Sequence, residues 1–203
     1  RDRWHDYESR VAANTDRLLA IFAEFGVRAT FFILAWVAER DPSIVRRIAA
    51  AGHEIASHGY GHRLVYDLSP EEFRDDVRRA KAILEAASGQ PVVGYRAPSF
   101  SITERSLWAL DVLIEEGFAY DASIFPIRHD RYGIPGAPRH SYCVRPGLLE
   151  VPASTIRLFG QNLPIGGGGY FRLLPYWWTR AGIRRLNRTE GKPAVFYLHP
   201  WEV

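Results

Sequence analysis

Short apolar runs alternate along the chain with longer segments in which apolar residues recur at helical spacing. The short runs are rich in β-branched and aromatic residues, which favour strands. We predict strands at 28–34, 53–57, 92–95, 118–120, 148–151 and 194–198. Repeated alternation of strands and helices indicates parallel strands with helices packed outside them, and therefore an α/β barrel or a doubly wound sheet.

Capping residues mark the ends of the predicted helices. Ser69, Pro70 and Glu72 form a capping box with proline at the first helical position, which predicts a helix that runs to Gly89. Four further helices are predicted to begin at Asn14, Pro42, Thr103 and about Pro175, and to end at Gly26, Gly52, Gly117 and Asn187. Segments 127–147 and 166–169 are rich in glycine or proline, and we expect both to be loops.

The composition argues against several classes of protein, among them membrane-spanning and nucleic-acid-binding proteins. The 203 residues suffice for one domain with a substantial core, and we treat 1–203 as a single domain. No apolar run approaches the roughly 18 residues that a membrane span needs. The net charge is only +3 and the arginine pairs are spread over separate helices, whereas binding of nucleic acid needs a concentrated basic stripe. The single cysteine, Cys143, excludes a cysteine-rich zinc cluster, so a metal ion here needs His, Asp or Glu ligands.

Two histidines follow the second predicted strand at a spacing of four residues. His58 and His62 enclose Gly59 and Gly61, and these glycines allow the loop to turn both rings toward one cation. Two surface histidines in a polar loop would give the same pattern. The pair alone is therefore a modest indication of a metal site.

Three more ionisable residues stand where later predicted strands end, namely Arg96, Asp121 and His199. Because the carboxyl ends of parallel strands open onto one face, we expect all five side chains to converge around a single cavity. Each of the three also has a structural interpretation: a surface ion pair, a turn residue and a buried, hydrogen-bonded histidine. Their common position favours an active site.

These residues resemble the polysaccharide deacetylases of carbohydrate esterase family four, the NodB-homology domain. The family's four ordered motifs match His58 to His62, Arg96 to Pro98, Asp121 to Ser123, and Leu198 to His199. The resemblance covers nearly the whole chain and implies a distorted (β/α)7 barrel that removes N-acetyl groups from a polysaccharide. Segments 53–60 and 196–202 are most similar to the subgroup found with exosortase and exopolysaccharide loci in bacteria.

The resemblance implies a cofactor and several roles. His58 and His62 would bind a divalent metal ion, zinc or a similar ion, which polarises the amide carbonyl and activates water. Arg96 would hold a catalytic carboxylate in place. The backbone N–H of Ser99 would donate to the oxyanion.

Further roles concern the leaving group and the substrate. His199 would protonate the leaving amine, and Asp121 would keep it charged and oriented. Leu198 would line the pocket for the acetyl methyl group, and Trp201 would offer a sugar ring a stacking surface unless it lies in the core. The residues that would contact the substrate are Leu198, Trp201, Pro98 and Phe100.

The sequence departs from the family pattern in three places. The family begins with an Asp-Asp motif on its first strand, and neither Asp2 nor Asp6 has a strand before it. We therefore expect a domain that lacks its first strand, is truncated at the N-terminus and is impaired in metal binding and turnover. Pro126 stands where the family has tryptophan, and Ser99 stands where it has an aromatic residue.

Two alternatives stay open. The same barrel supports an amidohydrolase that acts on a small ureide or formamide, which would need a closed pocket rather than an open groove. A carbohydrate-binding domain that has lost catalysis would also lack the acidic pair, although binding alone needs neither Arg96 nor His199. The polysaccharide, the native metal, the compartment and the oligomeric state are not determined by the sequence.

Overall fold

The structure, a computed structural model, describes residues 9–202. Residues 1–8, and with them Asp2 and Asp6, lie outside the described residues. In chain order the helices and strands are α1 (Val11–Glu24), β1 (Thr30–Ile33), α2 (Ala35–Arg40), α3 (Pro42–Ala50), β2 (Glu54–Ser57), α4 (Pro70–Ser88), β3 (Gly94–Tyr95), α5 (Trp108–Glu115), β4 (Tyr120–Asp121), β5 (Tyr142–Arg145), β6 (Leu148–Glu150), β7 (Thr155–Leu158), β8 (Gln161–Pro164), α6 (Gly168–Leu173) and α7 (Tyr176–Arg185).

A mostly parallel sheet organises these elements. Its strand order is β1-β2-β3-β4-β6-β5, and every neighbouring pair is parallel except β5 with β6. Strands β7 and β8 form a separate antiparallel hairpin. The α/β class is therefore confirmed, and parallel strands covered by helices are consistent with a distorted (β/α) barrel. Within residues 9–202, no helix is long and apolar enough to cross a membrane.

Helix α4 illustrates how the sequence builds the core. Ser69 caps it through a complete capping box and Gly89 ends it in the left-handed conformation, as predicted. Its buried residues Phe73, Val77 and Leu84 recur at helical spacing and belong to the main core cluster. Burial of each such side chain contributes about 1.5–3 kcal/mol, so this face fastens α4 to the sheet.

Two of the helical predictions require correction, and one helix was not predicted. Asn14 does not cap α1, because the helix begins at Val11 and the Asn14 N–H already donates to the Arg10 carbonyl. Thr103 is followed by a single 3₁₀ turn, and the α-helix proper starts only at Trp108. The short helix α2 was not predicted, since its six residues directly follow a continuous apolar run.

The C-terminal part differs more from expectation. Segment 194–198 is not a strand, although the Val195 carbonyl accepts from the Ser154 N–H and the Tyr197 carbonyl from the Gly168 N–H. Segment 166–169 is not entirely loop, because α6 begins at Gly168. The long connection 127–147 is not entirely loop either, because it contains the whole of β5. An apolar run predicts burial, but it does not supply the regular backbone partners that a strand needs.

Candidate active site

The loop after β2 carries His58 and His62, whose ring centroids lie 5.3 Å apart. Backbone hydrogen bonds fix this loop: the His58 N–H donates to the Ile33 carbonyl at 3.0 Å, and the Gly59 carbonyl accepts from the Ala35 N–H at 3.0 Å. The two imidazoles are therefore neighbours on a segment anchored to β1 and α2.

Close packing beneath the loop requires glycine at position 59. Gly59 has φ +73°, and a Cβ there would lie 2.7 Å from Oδ2 of Asp76. The same Asp76 oxygen accepts from the Tyr60 N–H at 2.8 Å. His62 itself has φ 55°, a left-handed conformation that is uncommon outside glycine and that concentrates at functional sites.

His58 is held in the form that binds a metal ion. Its Nδ1 lies 2.7 Å from the Arg96 carbonyl oxygen, which can only accept, so Nδ1 carries the proton and Nε2 is left with its lone pair. The pKa of His58 is lowered to about 3, chiefly by desolvation and also by the nearby charges of His62, Arg96 and His199, while the hydrogen bond to the Arg96 carbonyl opposes the shift. The ring is therefore neutral at pH 7, as a metal ligand must be.

The described residues offer only part of a metal site. Within residues 9–202, no group of three or more His, Cys, Asp or Glu side chains could hold a metal ion. A tetrahedral zinc ion at a catalytic site takes three protein ligands and one water. The donor chemistry of His58 and His62 fits zinc, and it accounts for two of those ligands.

Arg96 connects the histidine loop to the next strands. Its N–H donates to the Ser57 carbonyl at 2.9 Å, and its Nε donates to the Ala122 carbonyl at 3.0 Å. The guanidinium lies 4.3 Å over the Phe32 ring. Desolvation lowers the pKa of Arg96, and the nearby Tyr197, Asp121 and Glu150 oppose this shift. An arginine stays cationic at neutral pH, so the site contains a fixed positive charge.

The turn after Arg96 exposes one of the predicted residues and buries two others. Ser99 and Phe100 both have φ 52°, and the Ser99 side chain is exposed. Among the described residues, the Ser99 N–H has no hydrogen-bond partner. Pro98 is buried, and Phe100 is 8% exposed and packs against Phe125 at 5.1 Å. Pro98 and Phe100 therefore lie in the core and shape the turn, and they expose little surface for the substrate contact that was predicted.

A cavity of about 430 Å³ adjoins Ser99. Its lining residues include Leu64, Tyr66 and Tyr132. The Tyr132 ring stacks on His129 with centroids 3.8 Å apart. Ser99 is thus an exposed residue that lines a cavity with aromatic and polar walls.

Asp121 is fully buried rather than displayed to substrate. It accepts a short hydrogen bond from the Ser123 hydroxyl, and that hydroxyl accepts from the Ala97 N–H at 2.7 Å. A second buried carboxyl, Glu150 of β6, is the register partner of Asp121 across the strand pair. Glu150 was not predicted as a site residue, although an acidic residue inside the apolar segment 148–151 was a visible signal.

His199 has a different carboxylate partner from the one expected. Its N–H donates to Glu202 Oε2 at 2.8 Å, and its Nδ1 lies 3.3 Å from the same oxygen. Between residues 9 and 202, no hydrogen bond or ion pair joins His199 to Asp121. This corrects the expectation that Asp121 orients His199. Glu202 was missed as well, and its spacing of three residues from the histidine was the available signal.

The surroundings of His199 include an exposed aromatic surface. Trp201 is 65% exposed and stacks on the His199 ring with centroids 4.3 Å apart. The alternative that Trp201 lies in the core is therefore wrong. Leu198 is half-buried next to His199.

The predicted residues gather in one region of the molecule. The charges of His62, Arg96 and His199 lower the pKa of His58, and the charge of Asp121 raises the pKa of Arg96. These side chains therefore lie within electrostatic range of one another. The arrangement contains two neighbouring imidazoles, of which that of His58 is neutral, together with a fixed cation and an imidazole paired with a carboxylate. Such a set can bind a metal ion and move a proton to a leaving group.

The N-terminal half of the chain matches a known protein family. The family model described as "Polysaccharide deacetylase" matches residues 5–113, which is more than half of the chain. The chain belongs to the polysaccharide deacetylase family. A second model, "Domain of unknown function (DUF3473)", matches residues 122–203 and so includes Glu150, His199 and Glu202.

Individual members of the family resemble parts of this chain. A peptidoglycan-N-acetylglucosamine deacetylase of Bacillus cereus is 35% identical over 98 residues, covering 48% of this chain and 36% of that protein. A chitooligosaccharide deacetylase of Sinorhizobium fredii is 36% identical over 103 residues, covering 49% and 44%. The chain thus spans less than half the length of either relative. The crystal structure of a putative polysaccharide deacetylase from Mycobacterium smegmatis superposes with TM-score 0.70 at 29% identity, covering 93% of this chain and 64% of that one.

Proposed function

We propose that this chain provides most of the active site of a metal-dependent polysaccharide deacetylase. The reaction is hydrolysis of the N-acetyl group of an N-acetylhexosamine unit, which yields acetate and a free amine on the polymer. The observation that carries the proposal is the gathering of His58, Arg96 and His199 in one region, with His58 fixed as a neutral Nε2 ligand.

The histidine loop supplies the binding side of the site. His58 and His62 would hold a divalent metal ion, and zinc matches their imidazole donors. When bound, such an ion polarises the amide carbonyl and lowers the pKa of a coordinated water. The Arg96 carbonyl keeps His58 in the correct tautomer, and the Arg96 guanidinium adds positive charge near the developing oxyanion.

The segment around His199 supplies the acid side. An amide nitrogen leaves only after it gains a proton, and His199 is the described residue that we assign to this step. Glu202 stabilises the protonated imidazole through its Oε2. The free N–H of Ser99 is a donor for the tetrahedral oxyanion, which such donors stabilise by about 3–4 kcal/mol.

An exposed aromatic surface supports a sugar polymer as the substrate. Trp201 stacks on the proposed acid and leaves 65% of its own surface open, so a pyranose ring can pack on its outer face. Leu198, half-buried beside His199, is the proposed contact for the acetyl methyl group. The finer assignment to the exosortase and exopolysaccharide subgroup is part of this proposal and rests on segments 53–60 and 196–202.

Release of acetate from N-acetylglucosamine oligomers tests the function directly. A full-length protein that carries this chain is expected to release acetate, to lose activity on chelation and to recover it with zinc. Activity on a small ureide but not on the oligomers would instead favour the amidohydrolase alternative. Sugar binding with no turnover on either substrate would favour the inactive binding domain.

Zinc titration of the 203-residue chain tests the metal assignment. Because the described residues supply two ligands, we expect weak binding by isothermal titration. The His58→Ala variant should bind still less, while an exposed-site control, His129→Ala, should bind as the wild type does. Tight one-to-one binding that survives His58→Ala would contradict the assignment.

A further inference from the structure

Two carboxyl groups face each other in the interior of the sheet. Asp121 of β4 and Glu150 of β6 are register partners, and both are fully buried. Asp121 Oδ1 accepts from the Ser123 hydroxyl, and Glu150 Oε1 accepts from the Ile124 N–H at 3.0 Å. The other oxygens, Asp121 Oδ2 and Glu150 Oε2, have no N–H or O–H donor among the described residues.

A single proton resolves this arrangement. Two ionised carboxylates in contact repel each other, and burial makes that repulsion more costly. If one carboxyl keeps its proton, its O–H can donate to the unpaired oxygen of the other carboxyl. Asp121 Oδ2 and Glu150 Oε2 are then joined by one hydrogen bond. Burial raises the pKa of Glu150, and the neighbouring Asp121 charge raises it further. Asp121 has the competing hydrogen bond from Ser123 that stabilises its ionised form, so Glu150 is the better site for the proton.

We propose that Glu150 is a protonated positioning residue, whose carboxyl group donates to Asp121 and thereby holds the catalytic loop around Arg96 in place. The connection runs from Glu150 to Asp121, from Asp121 to the Ser123 hydroxyl, and from that hydroxyl to the Ala97 N–H. The Ala122 carbonyl, next to Asp121, accepts from Arg96 Nε. Arg96 in turn orients His58. The inference rests on the proposed function only for its effect on activity.

The neighbouring charged and titratable groups do not supply an alternative proton donor. Arg96 approaches from the loop after β3 and interacts with both carboxyls, but its Nε donates to the Ala122 carbonyl. Tyr95 of β3 and Tyr142 of β5 lie close enough for the carboxyl charges to raise the pKa of each phenol, after desolvation, which is the largest cause for both. Neither phenol hydrogen-bonds to Asp121 or Glu150 within residues 9–202.

The shared proton predicts a specific dependence of stability on pH. The folded pair keeps one proton at a pH where both carboxyls of the unfolded chain are ionised. Because the folded pKa is raised, stability is lost as pH rises above the ordinary carboxyl pKa of about 4 and until the folded pair loses its proton. One extra bound proton in the folded state corresponds to a rise of about tenfold in the unfolding equilibrium constant per pH unit.

Three variants of the chain test this inference. Glu150→Gln keeps the shape, since its amide N–H donates to Asp121 and its oxygen accepts from Ile124, but it has no titrating proton. Glu150→Leu has a similar volume and cannot hydrogen-bond. Glu24→Gln removes an exposed carboxyl from the end of α1 and serves as the control.

The readouts are urea unfolding between pH 5 and 8 and the infrared band of a protonated carboxyl group at neutral pH. We expect the wild type and Glu24→Gln to show the band and the steep pH dependence, and Glu150→Gln to lose both while staying folded. Glu150→Leu leaves Asp121 with a buried unpaired oxygen, and its unfolding constant at pH 7 should exceed that of Glu150→Gln by about tenfold or more. Absence of the band in the wild type, or equal stability of the Gln and Leu variants, would overturn the inference.

Activity of the full-length protein distinguishes this inference from the proposed function. A positioning role predicts that Glu150→Leu lowers kcat at least about tenfold with little change in KM, and that Glu150→Gln restores most of it. Unaltered kcat in Glu150→Leu would refute the positioning role. Inactivity of the wild type would refute the proposed function, while the infrared and unfolding results would still decide the state of the carboxyl pair.

Discussion

The two ends of the candidate site are built differently. His58 and His62 follow β2, which lies between β1 and β3 in the sheet, and backbone hydrogen bonds to Ile33 and Ala35 fix their loop. His199 lies in a segment without regular secondary structure and depends on Glu202 for its orientation. The proposed metal-binding side is therefore fixed by the sheet, whereas the proposed acid side depends on local side-chain contacts.

Packing differs in the same way. The strands and helices between β1 and β4 surround the main core cluster, and α4 and α5 cover it with fully buried apolar residues. The C-terminal part has only small clusters, and several of its aromatic residues are exposed, including Trp177 and Trp201 at 65% each. Changes in the first region should thus alter global stability, while changes in the second should mainly alter catalysis.

The two variants with the largest expected loss of activity distinguish metal binding from proton transfer. Either His62→Ala or His199→Ala in the full-length protein should lower deacetylation by about 10²-fold or more, because each removes a principal catalytic component. Only His62→Ala should also lower metal affinity, measured by competition with a chelating dye. Near-normal activity of His199→Ala would show that this residue has no part in the mechanism. Unchanged metal affinity in both variants would show that the loop with His58 and His62 does not bind the metal ion.

Two glycine substitutions test whether the sheet and the C-terminal segment are separable. An Ala Cβ at Gly94 would lie 2.2 Å from the Tyr120 ring inside the sheet, and one at Gly167 (φ +96°) would lie 2.3 Å from the Tyr197 ring. We expect Gly94→Ala to destabilise the fold by about 1–3 kcal/mol or more in urea unfolding. Gly167→Ala should chiefly lower kcat by displacing the segment that carries His199.

Gly136→Ala and Gly169→Ala are the matched controls for this pair. A Cβ at either position meets nothing within 4 Å, and neither glycine has a positive φ. Both variants should resemble the wild type in stability and activity. Equal loss of stability in Gly94→Ala and Gly167→Ala would show that the two regions unfold as one cooperative unit.

The smallest expected loss of activity follows a change in Glu202, the carboxylate partner of the proposed acid His199. Glu202→Gln should lower kcat about tenfold and leave KM and urea stability nearly unchanged, as for the loss of an outer hydrogen-bond partner of a functional histidine. Glu104→Gln, which alters an exposed carboxyl before α5, is the control. A kcat equal to that of the wild type would show that local packing alone orients His199.

The residues at the ends of parallel strands were the part of the site that sequence could predict. His58, Arg96 and Asp121 follow short apolar runs, and parallel topology brings such strand ends to one edge. Glu150 and Glu202 were not predicted. The linear pattern shows an acidic residue in the apolar segment 148–151 and another three residues after His199, but it does not indicate that the first faces Asp121 across a strand pair or that the second reaches back to His199.

Local pattern also determined most of the helices and strands of the first half. The capping box at Ser69 and the apolar spacing of α4 act over a few residues, so they hold in any tertiary context. Segment 194–198 was mistaken for a strand because continuous apolar runs occur in several buried conformations. Its actual partners, such as Ser154 and Gly168, are distant in sequence.

By itself, then, the sequence determined an α/β fold with parallel strands and part of the set of residue types that we propose for hydrolysis of an amide. Only the tertiary structure decided that Glu202 rather than Asp121 accompanies His199, and that Asp121 is buried against Glu150. The physical reason is range: helix caps and apolar periodicity act between near neighbours, whereas hydrogen bonds between side chains and the burial of charge depend on how distant segments pack.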